Sequence, residues 1–278
     1  MPRTARPGSP YHPSMLRPST IPRALNLAAV AVATALLAAC NLHFGTGIEV
    51  HDTWTRSYTV KSGVVLDINE TNGLVQVDAG DGDAIVVNAT RFAKGPTEDA
   101  AKAMLSEFTI AESVSPDRVA LDGTPKGNLG FGRSQHVDYR ITVPRATAVT
   151  IRSTNSEIHV TGTAGVLHVE STNGEVTGTA LGNGADIRLI NGTIHLDLAK
   201  LGDAGVKCKT TNGEIVVTVP ADTKAAIAAS LINGEIRTEK LSVAVREQTG
   251  RSLTGTIGGG GPDIRLDAVN AEIRIVGK

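Results

Sequence analysis

The sequence predicts an all-β protein: a parallel β-helix, or solenoid, with coils of 18–21 residues, preceded by an N-terminal α+β cap that contains one short helix. Three observations support this prediction. One short motif recurs seven times, and around it apolar and polar residues alternate with a period of two, as they do in β-strands. Residues 141–278 contain no Phe, Tyr or Trp, which suits a narrow core of stacked aliphatic side chains.

The N-terminal residues 1–39 are typical of a signal peptide. Residues 1–20 include basic residues and no acidic one, and residues 25–37 form an apolar stretch of 13 residues. That stretch is shorter than the roughly 20 apolar residues that a helix needs to cross a bilayer, which argues against a transmembrane anchor. If translation starts at Met15, the signal peptide comprises residues 15–39.

The residues Leu37-Ala38-Ala39-Cys40 resemble the lipobox of bacterial lipoproteins, in which small residues precede a cysteine that becomes acylated. The resemblance implies that Cys40 is the lipidation site, carrying palmitate or a similar acyl chain, and that residues 40–47 form a lipidated tether. The membrane is then a partner through the acyl chains on Cys40, and we expect an exported lipoprotein at the outer membrane or cell surface. A soluble exported protein with a cysteine at this position by chance is the alternative.

Charge and motifs exclude several functions. Removing the four arginines of residues 1–39 from the 27 basic residues leaves 23 against 28 acidic ones, a formal charge of −5, and no nucleic-acid-binding motif occurs. We therefore expect no nucleic-acid partner. The sequence also lacks the common nucleotide, zinc and serine-hydrolase motifs, so we predict no cofactor and no metal site. Cys208 alternates with lysines and should point inward as a small apolar residue.

The repeated motif consists of a β-branched residue, Asn, usually Gly, a variable residue that is often Glu, and then Val or Ile. We expect its asparagines to form a structural ladder: Asn72, Asn155, Asn173, Asn191, Asn212, Asn233 and Asn270. From Asn155 onward the asparagines are 18, 18, 21, 21 and 37 residues apart, and the first gap is 83 residues. This spacing predicts coils that stack in sequence order about 4.8 Å apart.

Columns aligned on the asparagine predict which side chains face the core. The position four before Asn and the position three after it are apolar in nearly every copy, whereas the position three before is mostly polar or charged. The Asn-Gly pair is then a corner between two sheets, with Gly supplying the left-handed backbone that a bend requires. Because Asn-Gly is also a strong hairpin signal, an antiparallel meander remains the alternative.

Residues 48–145 hold the first coil and the cap. We predict a strand at 83–92, a helix at 98–108 with Thr97 as its N-cap, and strands at 109–114, 118–121 and 136–143. Residues 146–278 hold the solenoid repeats, and residues 249–262 form a Gly-rich loop before the last coil.

Taken together, the lipobox, the inserted helix, the serial S/T-x-N-G-E-[IV] coils and the late G-G-G-G-P segment resemble a bacterial family of β-strand repeats. Its members are known as "putative adhesins", a class of unknown function related to an autotransporter adhesin head domain. The resemblance covers nearly all of residues 46–278. It implies a right-handed parallel β-helix exposed on the cell surface or in the envelope, with no catalytic residues to transfer. Ser156 and Ala271 depart from the corner glycine, which puts the left-handed geometry in doubt at those two corners.

The position two after Asn carries an acidic column: Glu157, Glu175, Glu214, Glu235 and Glu272. Stacking in sequence order would bring Glu157 near Glu175, and Glu214 near Glu235, at about the carboxylate separation of a retaining glycosidase. We favour a solvated ladder, because this part of the chain offers no aromatic platform for a sugar ring. We expect the column to be partly neutralised by Arg152, Arg188, Lys209, Arg237 and Arg274.

Two further clusters have non-catalytic interpretations. His159 and His195 share a column but lie two coils apart, too far for a common metal ion. Asp78, Asp81 and Asp83 lack the closing Glu of a calcium loop, so we interpret them as a turn.

The sequence therefore predicts a non-catalytic, lipid-anchored protein of the cell envelope, an adhesin or a structural interaction module with an unidentified envelope or surface partner. The alternative is a carbohydrate-active β-helix enzyme, a polysaccharide hydrolase or lyase, that uses an exposed Glu pair.

Overall fold

The computed structural model describes residues 47–278, which form sixteen strands and one helix. The elements, in chain order, are β1 (Ile48–Thr59), β2 (Val65–Asn69), β3 (Asn72–Gly80), β4 (Ala84–Gly95), α1 (Glu98–Glu107), β5 (Ala111–Ser115), β6 (Arg118–Asp122), β7 (Ser134–Pro144), β8 (Ala148–Arg152), β9 (Asn155–Thr161), β10 (Leu167–Leu181), β11 (Ala185–Leu198), β12 (Val206–Val219), β13 (Ala225–Glu239), β14 (Val243–Gln248), β15 (Ser252–Ile257) and β16 (Asp263–Gly277).

The strands form one long open sheet in the order β1-β4-β7-β3-β9-β10-β11-β12-β16-β13-β15-β14, with β2, β5, β6 and β8 joined beside it. In the repeats the neighbouring strands are parallel and in register, so that Asn173 lies opposite both Asn155 and Asn191. The all-β prediction is therefore confirmed, and the described part of the chain has a solenoid-like stack. The parallel registers exclude the antiparallel meander for the repeats.

The order of stacking differs from the expected one. β16 lies between β12 and β13, although β13 comes before it in sequence. The far edge of the first half of β13, residues 225–230, is occupied by β15, which pairs with it antiparallel and continues to β14. The last repeat in sequence is therefore an internal strand of the stack. The prediction of stacking in sequence order was wrong for β13 and β16.

The sequence predicted a Gly-rich loop at residues 249–262, and this prediction was wrong for part of the segment. The segment contains β15, whose Leu253 and Ile257 are buried. Leu253 and Ile257 are four positions apart, an even spacing that places both side chains on the same face of a strand, toward the core. The glycine run is restricted to the turn that follows, where Gly258, Gly259 and Gly260 have positive φ.

The core follows the predicted columns. At the position four before Asn, every side chain is buried: Ile68, Ile151, Val169, Ile187, Cys208, Ala229 and Leu266. At the position three after Asn, six side chains are buried: Val75, Ile158, Val176, Ile194, Ile215 and Ile273. Ile236, the seventh, is only partly buried, because no strand among residues 47–278 pairs with the outer edge of residues 233–239.

The helix forms where it was predicted. Thr97 caps α1 by accepting a hydrogen bond from the Ala100 amide at 3.2 Å, and the helix ends at Glu107, one residue earlier than expected. Ala101 and Leu105 are its buried side chains, and α1 packs against β4 and β1. Those two strands and β7 are antiparallel, and they extend the sheet beyond β3.

Close stacking explains the corner glycines. Gly174, Gly192 and Gly213 have φ between 132° and 140°, so they supply the positive φ that the sequence predicted at the corners. A Cβ on Gly192 would lie 1.7 Å from the carbonyl oxygen of Gly174 in the neighbouring coil. Ser156 and Ala271 occupy the same register without a positive φ. Glycine is needed at the other corners because the backbone of the neighbouring coil occupies the space that a Cβ would take.

Candidate functional site

The asparagines of the seven corners are joined by amide hydrogen bonds. Each Nδ2 donates to the Oδ1 of the next asparagine, at 2.7–3.0 Å, in the order Asn233, Asn270, Asn212, Asn191, Asn173, Asn155 and Asn72. The row runs the length of the repeat stack on its surface. Since each internal amide both donates and accepts along the row, its role is to hold the corners in register.

A buried carboxyl group lies beside the first corner. Glu70 is 3% exposed, and its Oε1 accepts hydrogen bonds from Ser153 Oγ, at 2.6 Å, and from Ser156 Oγ. Burial raises the pKa of Glu70 above its usual value, although the two serine hydroxyls act in the opposite direction. Ser156 therefore replaces the corner glycine where its hydroxyl can reach Glu70.

The same region holds other buried polar atoms. Glu70 Oε2 and the Tyr139 hydroxyl have no hydrogen-bond partner within the described residues. Tyr139 is fully buried, and burial together with the nearby Glu70 raises its pKa. This cluster was not predicted from the sequence. The available signal was a charged residue two positions before Asn, where the other copies carry Ser153, Ser171, Leu189, Thr210, Ala268 and Leu231.

The acidic column lies on the outer face of the second half of each coil. In stack order it runs Glu157, Glu175, Thr193, Glu214, Glu272 and Glu235. Glu214 and Glu235 are therefore not adjacent, as had been expected, because Glu272 of the inserted β16 separates them. Arg274 neutralises Glu214 at 2.8 Å, and Arg237 lies 2.7 Å from Glu235 and 3.5 Å from Glu272.

The remaining expected pair, Glu157 and Glu175, are register neighbours. Both side chains are exposed, and each contacts a residue of its own strand: Glu157 lies 2.6 Å from His159, and Glu175 accepts from Thr177 Oγ1 at 3.0 Å. Such neighbours suit a solvated column better than a catalytic pair, which needs one carboxyl group shielded from water.

The two column histidines do not meet. Thr177 separates His159 from His195, as the register predicted, and His195 lies 3.6 Å from Glu214. Among residues 47–278, no group of three or more His, Cys, Asp or Glu side chains is arranged to hold a metal ion.

Three of the cations expected to neutralise the acidic column lie elsewhere. Arg152, Arg188 and Lys209 are on the outer face of the first half of each coil, three positions before the corner asparagine. Arg152 pairs with Asp67 at 3.0 Å, and Arg188 with Glu170 at 2.6 Å. The expectation was wrong for these cations because the corner places the two halves of a coil on different faces.

These cations line a groove of about 470 Å³ that runs across four consecutive coils. Arg152, Arg188 and Lys209, with Glu170 among them, lie three positions before the corner, and residues one position before it form the other wall. That second wall consists of Thr172, Ile190 and Thr211, and Ile190 is 49% exposed. The groove combines three cations, of which Arg152 and Arg188 form ion pairs, with the carboxylate of Glu170 and with apolar and hydroxyl surface.

The other predicted residues have structural positions. Cys208 is fully buried, and burial raises the pKa of its thiol, which agrees with an inward apolar role. Asp81 and Asp83 lie between β3 and β4, and Asp81 pairs with Arg145 at 2.9 Å. Asp78 belongs to β3 and accepts from Gln76 at 2.7 Å. Cys40, with the signal peptide and most of the tether, lies outside the described residues.

Among residues 47–278, no helix has the length and apolarity that a bilayer crossing requires.

Comparison with solved structures finds similar chains under adhesion-related names. A "putative cell adhesion protein" from Clostridium sporogenes has 12% identity and a TM-score of 0.45, over 82% of this chain and 100% of that one. A "putative adhesin" from Bacteroides fragilis has 13% identity and a TM-score of 0.36, over 82% and 97%. A third, from Parabacteroides distasonis, has 11% identity and a TM-score of 0.28, over 82% and 97%.

Comparison with curated proteins gives no match. The family model described as Toastrack DUF4097 matches residues 65–276, which include β2, every repeat and the inserted α1. The chain belongs to the Toastrack DUF4097 family, a family of unknown function.

Proposed function

We propose that the chain is a non-catalytic, lipid-anchored protein of the cell envelope, an adhesin-like or structural module that binds an envelope or surface partner. The groove beside the corner is the observation that supports this most. It extends across four coils, three of which carry a cation at the same register and one of which carries Glu170, and one of its walls includes the exposed Ile190.

The parallel register determines what this groove can bind. Equivalent side chains of neighbouring coils recur about every 4.8 Å, so an elongated partner meets a similar surface at each step. Coils of 18–21 residues provide this repeat. Residues 48–145 comprise the first coil and an α+β cap, with α1, that covers the N-terminal end of the stack.

The groove is tested by changing its cations. Arg188→Ala combined with Lys209→Ala should reduce cross-linking of the protein to its envelope partner, because both cations line the groove. Glu175→Ala, on the other face, is the matched control and should leave cross-linking unchanged. Equal cross-linking of wild type and the double variant would place the binding surface elsewhere.

Membrane anchoring is a separate part of the proposal, and it rests on Leu37-Ala38-Ala39-Cys40. A single acyl chain gives marginal membrane binding, whereas the several chains of a mature bacterial lipoprotein hold stably. Acylation of Cys40 would retain the stack at the envelope surface beyond a short tether.

Labelling with palmitate tests the anchor. The wild type should incorporate label and be processed, and Cys40→Ser should remain an unlabelled precursor. Cys208→Ser is the control, since Cys208 is buried, and it should label like the wild type. Normal maturation of Cys40→Ser, with no label in the wild type, would leave a soluble exported protein.

A further inference from the structure

The segment between β6 and β7, residues 123–133, exposes an aromatic side chain almost completely. Phe131 is 97% exposed, whereas the other exposed large apolar residues of the described chain are 47–55% exposed. We call this segment the Phe131 loop. Gly127, Gly130 and Gly132 have φ between 72° and 82°, and nothing lies near the position that a Cβ would take on them. These glycines serve the path of the loop rather than its packing.

In the sequence, cations lie on both sides of Phe131. Lys126 and Arg133 are both exposed, and neither forms an ion pair within residues 47–278. An apolar tip with basic residues on both sides matches the interface of a bilayer, where rings enter the acyl boundary and cations meet anionic headgroups.

The base of the Phe131 loop is held against the body of the protein. Gln135 donates a hydrogen bond from Nε2 to the carbonyl oxygen of Met104, in α1, at 2.7 Å. Leu129 is partly buried and lines a cavity of about 310 Å³ together with Phe108, which follows the helix. The residues on either side of Phe131 therefore contact the body of the protein, while the Phe131 ring itself is exposed.

Strand pairing places the loop close to the start of the described chain. Ile48, the first residue of β1, lies opposite Gly95, and Lys94 lies opposite Ser134, the first residue of β7. The Phe131 loop thus enters the sheet two strand spacings from Ile48, or about 10 Å. Ile48 and Ser134 are each the first residue of their strand, and both lie opposite the end of β4.

The length of chain before Ile48 limits how far a membrane anchor can be. Seven residues separate Cys40 from Ile48, so their Cα atoms are eight residue steps apart, and a fully extended chain spans at most about 29 Å over that length. If Cys40 is acylated, the bilayer surface lies within that distance of Ile48, and the Phe131 loop lies beside Ile48.

We propose that the Phe131 loop is a second membrane contact, which inserts Phe131 into the interface of an anionic bilayer and fixes the orientation of the stack. The inference rests on the proposed function for the acyl anchor. The occupant is a lipid surface rather than a protein partner, because the loop is close to the tether, whereas the groove lies on the outer face of the repeats.

A tryptophan reporter tests this contact. Trp54 is the only tryptophan, so Trp54→Phe combined with Phe131→Trp leaves a single fluorophore at the tip of the loop. The mature lipoprotein is reconstituted into vesicles of phosphatidylethanolamine and phosphatidylglycerol that carry brominated acyl chains. The emission of the tryptophan should shift to shorter wavelength and be quenched.

Trp54→Phe combined with Val245→Trp is the matched control, because Val245 lies on β14 at the other end of the sheet and is 49% exposed. Its emission should be unchanged.

Palmitate labelling of the same samples separates the two proposals. A labelled protein whose residue 131 is not quenched, or is quenched no more than residue 245, would overturn the membrane contact and leave the anchor in place. An unlabelled protein would overturn the anchor, and the full chain would then be added to the same vesicles. Quenching at residue 131 would still support the contact, and its absence would overturn it. Lys126→Glu with Arg133→Glu should weaken the quenching, because these changes reverse the charge facing the headgroups.

Discussion

At the scale of single residues, the corners of the stack show how little space separates neighbouring coils. A Cβ at Gly192 would meet the Gly174 carbonyl oxygen at 1.7 Å, and the φ of 138° is itself costly for any other residue. The alternation of side chains predicted the corner, but the approach of two backbones could not be predicted without the stacking geometry.

Gly192→Ala should therefore destabilise the protein by several kcal/mol, because both the contact and the backbone conformation are unfavourable. Denaturant unfolding measures the change. Gly250→Ala is the control, since a Cβ there meets nothing within 4 Å and the residue does not have a positive φ. Equal stability of the two variants would mean that the coils can separate at the corner at little cost.

Glu70 makes stability depend on pH. Its pKa is raised in the folded protein, so the folded state binds a proton more tightly than the unfolded state does. The resulting stabilisation is fully present below the unfolded pKa of about 4.3, and it is lost as the pH rises through the folded value.

Glu70→Gln should remove this dependence and raise the free energy of unfolding at neutral pH, because Gln has the shape of the protonated acid. Urea unfolding across a pH series measures it, with the exposed Glu175→Gln as the control. A steeper loss of stability with pH in Glu70→Gln would show that the carboxylate, held by Ser153 and Ser156, is the stabilising form.

At the scale of elements, each repeat strand is divided into an inward and an outward column. On β11, Ile194 is fully buried between Val176 and Ile215 of the neighbouring strands, whereas Glu175 of β10 is exposed. The period of two predicted these positions because a strand cannot shift by one residue without exposing its core face.

Ile194→Asp should unfold the stack or destabilise it by several kcal/mol, because it buries an unpaired charge. Glu175→Ala should leave the melting temperature within a few degrees, as expected for an exposed residue. Thermal unfolding followed by circular dichroism compares them. Greater damage from the Glu175 change would reverse our assignment of the two faces.

How much was predictable also depends on the element. The columns, α1 and its Thr97 cap follow from local patterns, and they were predicted. The order of strands was not, because each repeat carries the same Asn and the same aliphatic columns, so any copy can pair with any other in register. The position of β16 depends on β15, which occupies the edge of β13, and the sequence interpretation had treated that segment as a loop.

The Glu70 cluster was missed for a related reason. Ser156 comes from β9, Ser153 from the segment between β8 and β9, and Glu70 from the segment before β3, so only the stacking of coils brings them together. The sequence pattern assigned the column that includes Glu70, two positions before Asn, to neither the core nor the surface.

At the scale of the whole molecule, the inserted strand changes what a truncation removes. A chain that ends at Pro262 loses β16 and leaves a gap between β12 and β13, instead of losing an outer coil. Buried side chains of both neighbours would then face water, including Ile215 and Ile227.

Deletion of residues 263–278 should therefore abolish cooperative unfolding, whereas loss of an outer coil from a repeat protein typically leaves the remaining coils folded. Thermal unfolding of the truncated chain is the measurement. A single sharp transition near that of the full chain would show that β12 and β13 can close the gap themselves.

The position of β16 also has a consequence for biogenesis. A chain synthesised from its N-terminus presents β12 and β13 before β16 has emerged, so neither can find its final neighbour on that side until residues 263–277 have followed. During that interval two parallel edges with unpaired amide and carbonyl groups stand open, and such edges recruit other strands. Completion of the stack therefore waits for the last segment of the chain, and the vulnerability to aggregation is greatest just before that segment becomes available.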